Sequence, residues 1–279
     1  MPTPDPGTEW TGGVGATWAR EWRRTDRSFA ALTGRLLDPA AIGVFTAALD
    51  IGCGAGELAC SLASRAPAAT VRGIDISASL LAVARERAAG LANLAFEEAD
   101  AARWAAPPGF RPDLLVSRHG VMFFAEPAAA FSHLRALAAP GARLRFSCFR
   151  AREENGWYQA LAAALPAPVA EGNPDAPGPF AFADKTRVDA ILAEGGWSDI
   201  DFEAVDYPMI AGEGEGAEAE ADAYFQHIGP VARALRDLPE AGRSAALAGL
   251  AKVVSDHHSD SRVALPAAGW IVTARARPA

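Results

Sequence analysis

The chain has 279 residues, enough for one large domain or two small ones, and half of them are hydrophobic, so a sizeable core is available. Its net charge of −8 argues against a nucleic-acid groove, because binding phosphates requires clustered lysine and arginine. The sequence has no apolar run of about 18 residues, and we expect neither a membrane span nor a signal peptide. Cys53, Cys60 and Cys148 lack metal-ligand spacing, so we expect no metal, and an odd count favours a reducing cytoplasm.

The N-terminal region carries tryptophans at helical spacing. Trp18, Trp22 and Phe29 predict a helix from about Thr17 into the thirties. These rings either pack the helix onto the domain or form a lid over a ligand.

The stretch around position 50 predicts a short buried strand, Ala48–Ile51, followed by a glycine-rich turn and a helix. Gly52, Gly54 and Gly56 let the backbone turn tightly and approach a ligand closely. Free N–H groups at the helix start can hold an anionic group. Strand, glycine loop and helix are typical of the first crossover in a nucleotide-binding α/β domain. Glu57 stands where the dinucleotide fingerprint needs a small residue.

Three further predicted strands each end in, or are followed by, an acidic or polar residue at the same edge of the sheet. The strand Thr70–Asp75 ends in a carboxylate, 25 residues after Asp50, which can accept both hydroxyls of a ribose. The strand 93–99 is followed by Asp100, and the strand 112–117 ends at Ser117. Ligands in an open parallel sheet lie at the carboxyl ends of strands, so Ser117 is a candidate contact.

The run Asp50-Ile-Gly-Cys-Gly-Ala-Gly56 resembles motif I of the class I S-adenosylmethionine-dependent methyltransferases, and residues 113–149 resemble the corresponding part of that family. The resemblance covers about residues 40–207 and the final strand. It implies an α/β fold, a Rossmann-like three-layer sandwich with a seven-stranded, mostly parallel sheet in the order 3-2-1-4-5-7-6, whose last strand is antiparallel.

The resemblance also implies S-adenosyl-L-methionine as cofactor. In the family the glycine loop holds the methionine end, and the acid after the third strand bonds the adenine amino group while the next backbone N–H bonds the ring. The expected cofactor-binding residues are Asp50, Gly52, Cys53, Gly54, Gly56, Asp75, Ile76, Asp100, Ala101 and Ser117, with Trp18 from the lid.

The C-terminal part predicts a sixth strand at 199–207 and a last strand at 268–275, with two helices near 217–237 and 239–256 between them. We interpret this insertion as a helical cap over the acceptor site, or as an interface. The expected organisation is an N-terminal helical lid (1–39), a cofactor-binding core (40–210 and 266–279) and a helical cap (211–265).

The expected reaction is direct methyl transfer to a small-molecule acceptor, without nucleic acid or membrane as partner; a homodimer stays open. Alignment and exclusion of water suffice for this chemistry. His119, just beyond the fourth strand, is a candidate general base, although family members often have an aromatic there, which favours packing. Two alternatives remain: an NAD(P)-dependent oxidoreductase, disfavoured by Glu57 and by the lack of a Tyr-x-x-x-Lys pair, and a non-catalytic cofactor-binding protein.

Overall fold

A computed structural model describes residues 6–169 and 173–277. The strands are β1 (Ala47–Ile51), β2 (Thr70–Asp75), β3 (Leu94–Glu98), β4 (Leu114–Arg118), β5 (Arg143–Phe149), β6 (Trp197–Glu213), β7 (His258–Ser259) and β8 (Arg262–Ala276). The helices are α1 (Pro6–Thr11), α2 (Gly13–Arg20), α3 (Trp22–Leu36), α4 (Pro39–Ile42), α5 (Glu57–Arg65), α6 (Ala78–Arg87), α7 (Pro127–Leu137), α8 (Gly156–Ala163), α9 (Lys185–Glu194), α10 (Ala217–His227), α11 (Pro230–Asp237) and α12 (Glu240–Asp256).

The sheet has the strand order β3-β2-β1-β4-β5-β8-β6, and β8 runs antiparallel to both β5 and β6. The first five strands in this order pair in parallel. The expected Rossmann-like topology is therefore confirmed. The short β7, which pairs with the start of β8, makes the sheet eight-stranded rather than seven-stranded.

Helices cover both faces of the sheet, and its central strands are apolar as burial on two sides requires. On one face Arg145 donates hydrogen bonds to the carbonyls of Leu36 and Arg35 at the end of α3, at 2.9 and 3.0 Å. On the other face Phe146 packs against Phe131 of α7, with ring centroids 5.7 Å apart. Ligand access is consequently limited to the sheet edges.

Strands β6 and β8 are longer than predicted. Phe149 at the end of β5 pairs with Gly269, which in turn pairs with Val205. The residues of β6 after Val205 therefore lie beyond the carboxyl end of β5. The predicted strand ended at Tyr207, before Pro208. The observed strand continues because β6 is an edge strand, where a missing N–H is tolerated.

The predicted N-terminal helix from about Thr17 into the thirties is present, but it is interrupted at Glu21, which separates α2 from α3. The carboxylate of Glu21 is buried and bonds Arg24 at 2.6 Å. The predicted first cap helix is also divided, since Gly229 has a φ of 95° and Pro230 begins α11. Within the described residues, none of the helices has the length and apolarity to cross a membrane.

Candidate functional site

Four strand ends meet at the carboxyl edge and bring the predicted residues together. The Gly54 N–H donates to the Asp75 Oδ2 at 2.8 Å, which joins the loop after β1 to the end of β2. The Ser117 hydroxyl at the end of β4 donates to the Ile51 carbonyl at 2.7 Å. Asp75 pairs with Glu98, the last residue of β3, so Asp100 lies two residues beyond the end of the adjacent strand.

The three loop glycines differ in what an added side chain would contact. All have positive φ: 62° at Gly52, 52° at Gly54 and 83° at Gly56. A Cβ on Gly56 would lie 2.8 Å from the Phe96 ring, and one on Gly52 would lie 3.0 Å from the Cα of Gly120. A Cβ on Gly54 would meet nothing within 4 Å. Gly52 and Gly56 therefore serve close packing, whereas Gly54 borders the open space that a ligand needs.

Asp75 is only 9% exposed, and burial raises the pKa of its carboxyl. Its Oδ1 accepts the Ser77 N–H at 2.9 Å while its Oδ2 accepts the Gly54 N–H. These backbone bonds oppose the rise in pKa and fix the carboxylate in place. Each oxygen retains a lone pair, so the group can still accept hydroxyl donors.

Asp50 presents a buried carboxylate with one unused oxygen. Its Oδ2 accepts the Ala59 N–H at 3.0 Å, whereas its Oδ1 has no hydrogen-bond partner in the described part of the chain. Burial raises the pKa of Asp50 to about 7, and the Ala59 hydrogen bond and Arg118 oppose that rise. An unpaired buried carboxylate oxygen is costly unless something binds it, so this position suits a cationic amino group.

The other predicted cofactor residues differ in exposure. Asp100 is exposed, and its Oδ1 accepts the Ala102 N–H at 2.9 Å. Ala101 is buried and Ile76 is half-buried. Cys53 is buried, and burial raises the pKa of its thiol, so it is poorly reactive. Their contacts with cofactor stay predictions.

Ser117 is fully buried and its hydroxyl is used within the protein. Besides donating to the Ile51 carbonyl, it accepts the Gly120 N–H at 3.2 Å. This hydroxyl therefore joins the ends of β1 and β4, which is a structural task. Its direct contact with cofactor stays a prediction.

Helix α2 covers the carboxyl edge beside Asp75. Trp18 packs edge-on against Trp10 at 5.4 Å, and Trp10 packs against Phe123 at 5.1 Å. Gly15 lies so close to Ser77 that a Cβ there would overlap the serine hydroxyl. Ser77 is the N-cap of α6 and follows Asp75 by two residues, so α2 adjoins the predicted ribose position.

An ion-pair network that the sequence analysis missed joins α3 to the glycine loop. Arg118 pairs with Asp26 at 3.1 Å and with Glu57. Arg87 pairs with Asp26 at 2.7 Å and donates to the Ala55 carbonyl at 2.9 Å. Burial raises the pKa of Glu57 to about 7, and the Arg118 charge opposes that rise. The misfit of Glu57 to the dinucleotide fingerprint thus has a structural cause, because the residue is a partner of Arg118.

His119 is packed between aromatic rings. Its ring stacks on Phe149 at 4.2 Å and meets the edge of Phe29 at 5.0 Å. Its φ of 62° is unusual for a residue other than glycine. Burial, with Arg118 nearby, lowers the pKa of His119 to about 3, so the neutral ring suits hydrogen bonding better than general-base work.

No group of three His, Cys, Asp or Glu residues suited to hold a metal is present in residues 6–169 and 173–277. The adjacent His257 and His258 contact different partners. His257 Nδ1 lies 2.8 Å from the Val253 carbonyl oxygen, and His258 Nδ1 lies 3.3 Å from Glu218.

Residues 48–141 match a family described as a methyltransferase domain. A trans-aconitate 2-methyltransferase from Methylobacterium radiotolerans is 35% identical over 185 residues, covering 66% of this chain and 56% of that relative. The protein of the same name from Variovorax paradoxus is 36% identical over 152 residues, covering 54% of each chain. The chain thus spans about half the length of these curated relatives.

The fold is shared with a solved structure, that of phosphoethanolamine N-methyltransferase 2 from Haemonchus contortus in complex with S-adenosyl-L-methionine. The TM-score is 0.58 at 16% identity, covering 100% of this chain and 61% of that chain. The matched region, 48–141, contains the glycine loop, Asp75 and the end of β4. By this match and these relatives, residues 48–141 of the chain form a methyltransferase domain.

Proposed function

We propose that this protein transfers a methyl group from S-adenosyl-L-methionine to a small-molecule acceptor. The proposal rests on the hydrogen bond from the Gly54 N–H to the Asp75 carboxylate at the carboxyl edge. Gly54 borders open space, and Asp75 is held by backbone N–H groups with acceptor capacity to spare. The unpartnered Oδ1 of Asp50 supports a site for the amino group of the methionine end.

The cofactor supplies a methyl group already activated by its sulfonium. The task of the chain is therefore to align two ligands and exclude water, and no nucleophilic residue is required. Asp75 would orient the ribose, the loop 52–56 would hold the methionine end, and Asp100 with Ala101 would receive the adenine. Helix α2 with Trp18 would close over the cofactor from above.

The residues 1–39, as lid, and 211–265, as cap, belong to this proposal as segments that cover the two ligands. The relatives' names make trans-aconitate one candidate acceptor. Cys53, Cys60 and Cys148 are all free thiols, which supports a reducing cytoplasm. The protein's net charge of −8 supports an acceptor other than nucleic acid.

Calorimetric titration with S-adenosyl-L-methionine and, separately, with NAD tests the proposal. We expect saturable binding of the first ligand alone. A Gly54→Val variant should lose binding, because the side chain enters the space beside the loop. Gly141→Val is the matched control, since Gly141 has a φ of 72° and a Cβ there also meets nothing within 4 Å. Preferential NAD binding, or equal cofactor affinity in both variants, would reject the proposal. Binding without methyl transfer to any acceptor would favour the non-catalytic alternative.

A further inference from the structure

Several buried polar atoms that lack a partner belong to residues near the carboxyl ends of β4 and β5 and on β6. They include both ring nitrogens of His119, the Ser147 hydroxyl and the Tyr207 hydroxyl, none of which bonds to the described residues. Each of the three residues is at least nine-tenths buried. Buried polar groups in folded proteins are nearly always hydrogen-bonded, so these atoms have unused capacity to bond a ligand. We call His119, Ser147 and Tyr207 the polar layer.

The register of the sheet places the polar layer on the face that carries α3. Arg118 pairs with Ser147, and the Arg118 side chain extends to Asp26 of α3. Cross-paired residues share a face, and so do alternate residues along a strand. Phe149, two residues after Ser147, stacks on His119. The layer therefore lies between α3 and the ends of β4 and β5.

Tyr207 completes the layer from the part of β6 that lies beyond the end of β5. Val205 lies level with Phe149, because both residues pair with Gly269. Tyr207 comes two residues after Val205 and therefore lies on the same face of the sheet. A Cβ on Gly269 would lie at ordinary contact distance, 3.8 Å, from the Tyr207 ring, so this ring packs over the Gly269 position of β8. Tyr207, the last residue of the predicted sixth strand, thus supplies a wall of the site.

The positive charge beside the layer is already paired, and Arg152 lies one ring farther out, with its guanidinium 5.4 Å from the centroid of the Phe180 ring. Arg118, the cation beside it, pairs with Asp26 and Glu57, while Arg87 also pairs with Asp26. Two arginines therefore meet two carboxylates. Burial also keeps His119 and Tyr207 uncharged near neutral pH, because it lowers the pKa of the imidazole and raises that of the phenol.

Aromatic side chains surround the polar layer. Phe149 contacts Trp157 at 5.2 Å and Phe180 at 5.8 Å between ring centroids. Phe29 closes the other side of His119 at 5.0 Å. A carboxylate bound to the polar layer would lose its hydration beside Arg118, which is already paired, whereas a planar ring would gain aromatic contacts.

We propose that the polar layer is the acceptor site and that its acceptor is an uncharged ring compound whose hydroxyl or N–H group bonds to His119 and Tyr207. This inference rests on the proposed function and specifies its substrate class. It separates this chain from its relatives named for trans-aconitate, because that compound is a tricarboxylate.

Fluorescence titration with 2-naphthol and 2-naphthoate at pH 7 tests the inference. The two probes share one ring system, but 2-naphthol carries a neutral hydroxyl and 2-naphthoate a charged carboxylate. Titrations are run with and without saturating S-adenosylhomocysteine. We expect 2-naphthol to bind at least about tenfold more tightly than 2-naphthoate and trans-aconitate. His119→Phe and Tyr207→Phe should each weaken 2-naphthol binding about tenfold, since each removes a buried hydrogen-bonding group.

Tyr158→Phe is the matched control, because Tyr158 is half-buried beside Phe180 outside the polar layer. It should leave 2-naphthol binding unchanged. Circular dichroism and thermal melts check that every variant folds. Tighter binding of either carboxylate, no binding of 2-naphthol, or unchanged binding in both polar-layer variants would overturn the inference. Calorimetry with S-adenosylhomocysteine reports separately on the proposed function, so failure there is distinguishable from failure of 2-naphthol binding.

Discussion

Asp26 and Arg118 form an ion pair of 3.1 Å that fastens helix α3 to the end of β4. Both side chains are largely buried. The same arginine bonds Glu57, the first residue of α5, so three segments converge on one guanidinium. The N-terminal region is therefore tied to the carboxyl edge of the sheet through α3, whereas α1 and α2 adjoin that edge by packing.

Replacing Asp26 by Asn should destabilise the protein by about 3 kcal/mol, the lower end for breaking a buried pair, because Arg118 keeps Glu57 as a partner. Urea unfolding measures the change. The control is Asp256→Asn, which breaks an exposed pair with Lys252 whose side chains are 54% and 74% exposed. That variant should lose less than about 1 kcal/mol. Similar losses in both variants would contradict the importance of the α3 contact.

Replacing Asp75 by Ala should weaken S-adenosyl-L-methionine binding by about 1.5–3 kcal/mol, the range for hydrogen bonds to a charged group. Calorimetry measures the loss. Asp113 offers a matched control, because its carboxylate also accepts backbone N–H groups, those of Thr46 and Ala47, at 3.0 Å. It lies before β4 at the opposite edge of the sheet. Asp113→Ala should bind cofactor normally, and an unchanged affinity in Asp75→Ala would show that the ribose lies elsewhere.

Replacing Gly15 by Ala should loosen the lid. The added methyl overlaps the Trp10 carbonyl and the Ser77 hydroxyl, so α2 must move off α6. Faster cofactor dissociation and faster hydrogen exchange in residues 10–22 are expected, with little change in the sheet. Gly13→Ala on the same helix meets nothing within 4 Å and is the control. The prediction fails if both variants release cofactor at the wild-type rate.

In the ligand-free protein, ionisation of the buried Asp50 should lower the free energy of unfolding in a pH-dependent way. Its pKa of about 7 lies above the ordinary 3.8, so the folded state binds the extra proton between these values. The Asp50 contribution therefore falls as pH rises from about 4 to 7, by up to about 1.4 kcal/mol per unit. Asp50→Asn removes this term, and unfolding from pH 4 to 8 should find the variant gaining on wild type as pH rises. A constant difference would show that Asp50 does not titrate in this range.

The sequence predicted the parts of the site that depend on local order. Glycine spacing, the acid at the end of β2 and the strand order follow from motif and resemblance, and Gly54 does meet Asp75. The pairing of Asp26 with Arg118 spans 92 residues and leaves no local pattern. The only sequence signal for this pair was Arg118 itself, a charged residue directly after a predicted buried strand. Tyr207 ended the predicted sixth strand but was missed as a site residue, because its place beyond the end of β5 depends on how both strands pair with β8.

A crystal structure with S-adenosylhomocysteine tests the central claim most directly. The account predicts the ribose hydroxyls within hydrogen-bond distance of the Asp75 carboxylate and the amino-acid end beside Gly54 and the Asp50 Oδ1. A ligand bound away from the carboxyl edge, or a ribose held by another residue while Asp75 keeps only its bonds to Gly54 and Ser77, would contradict it.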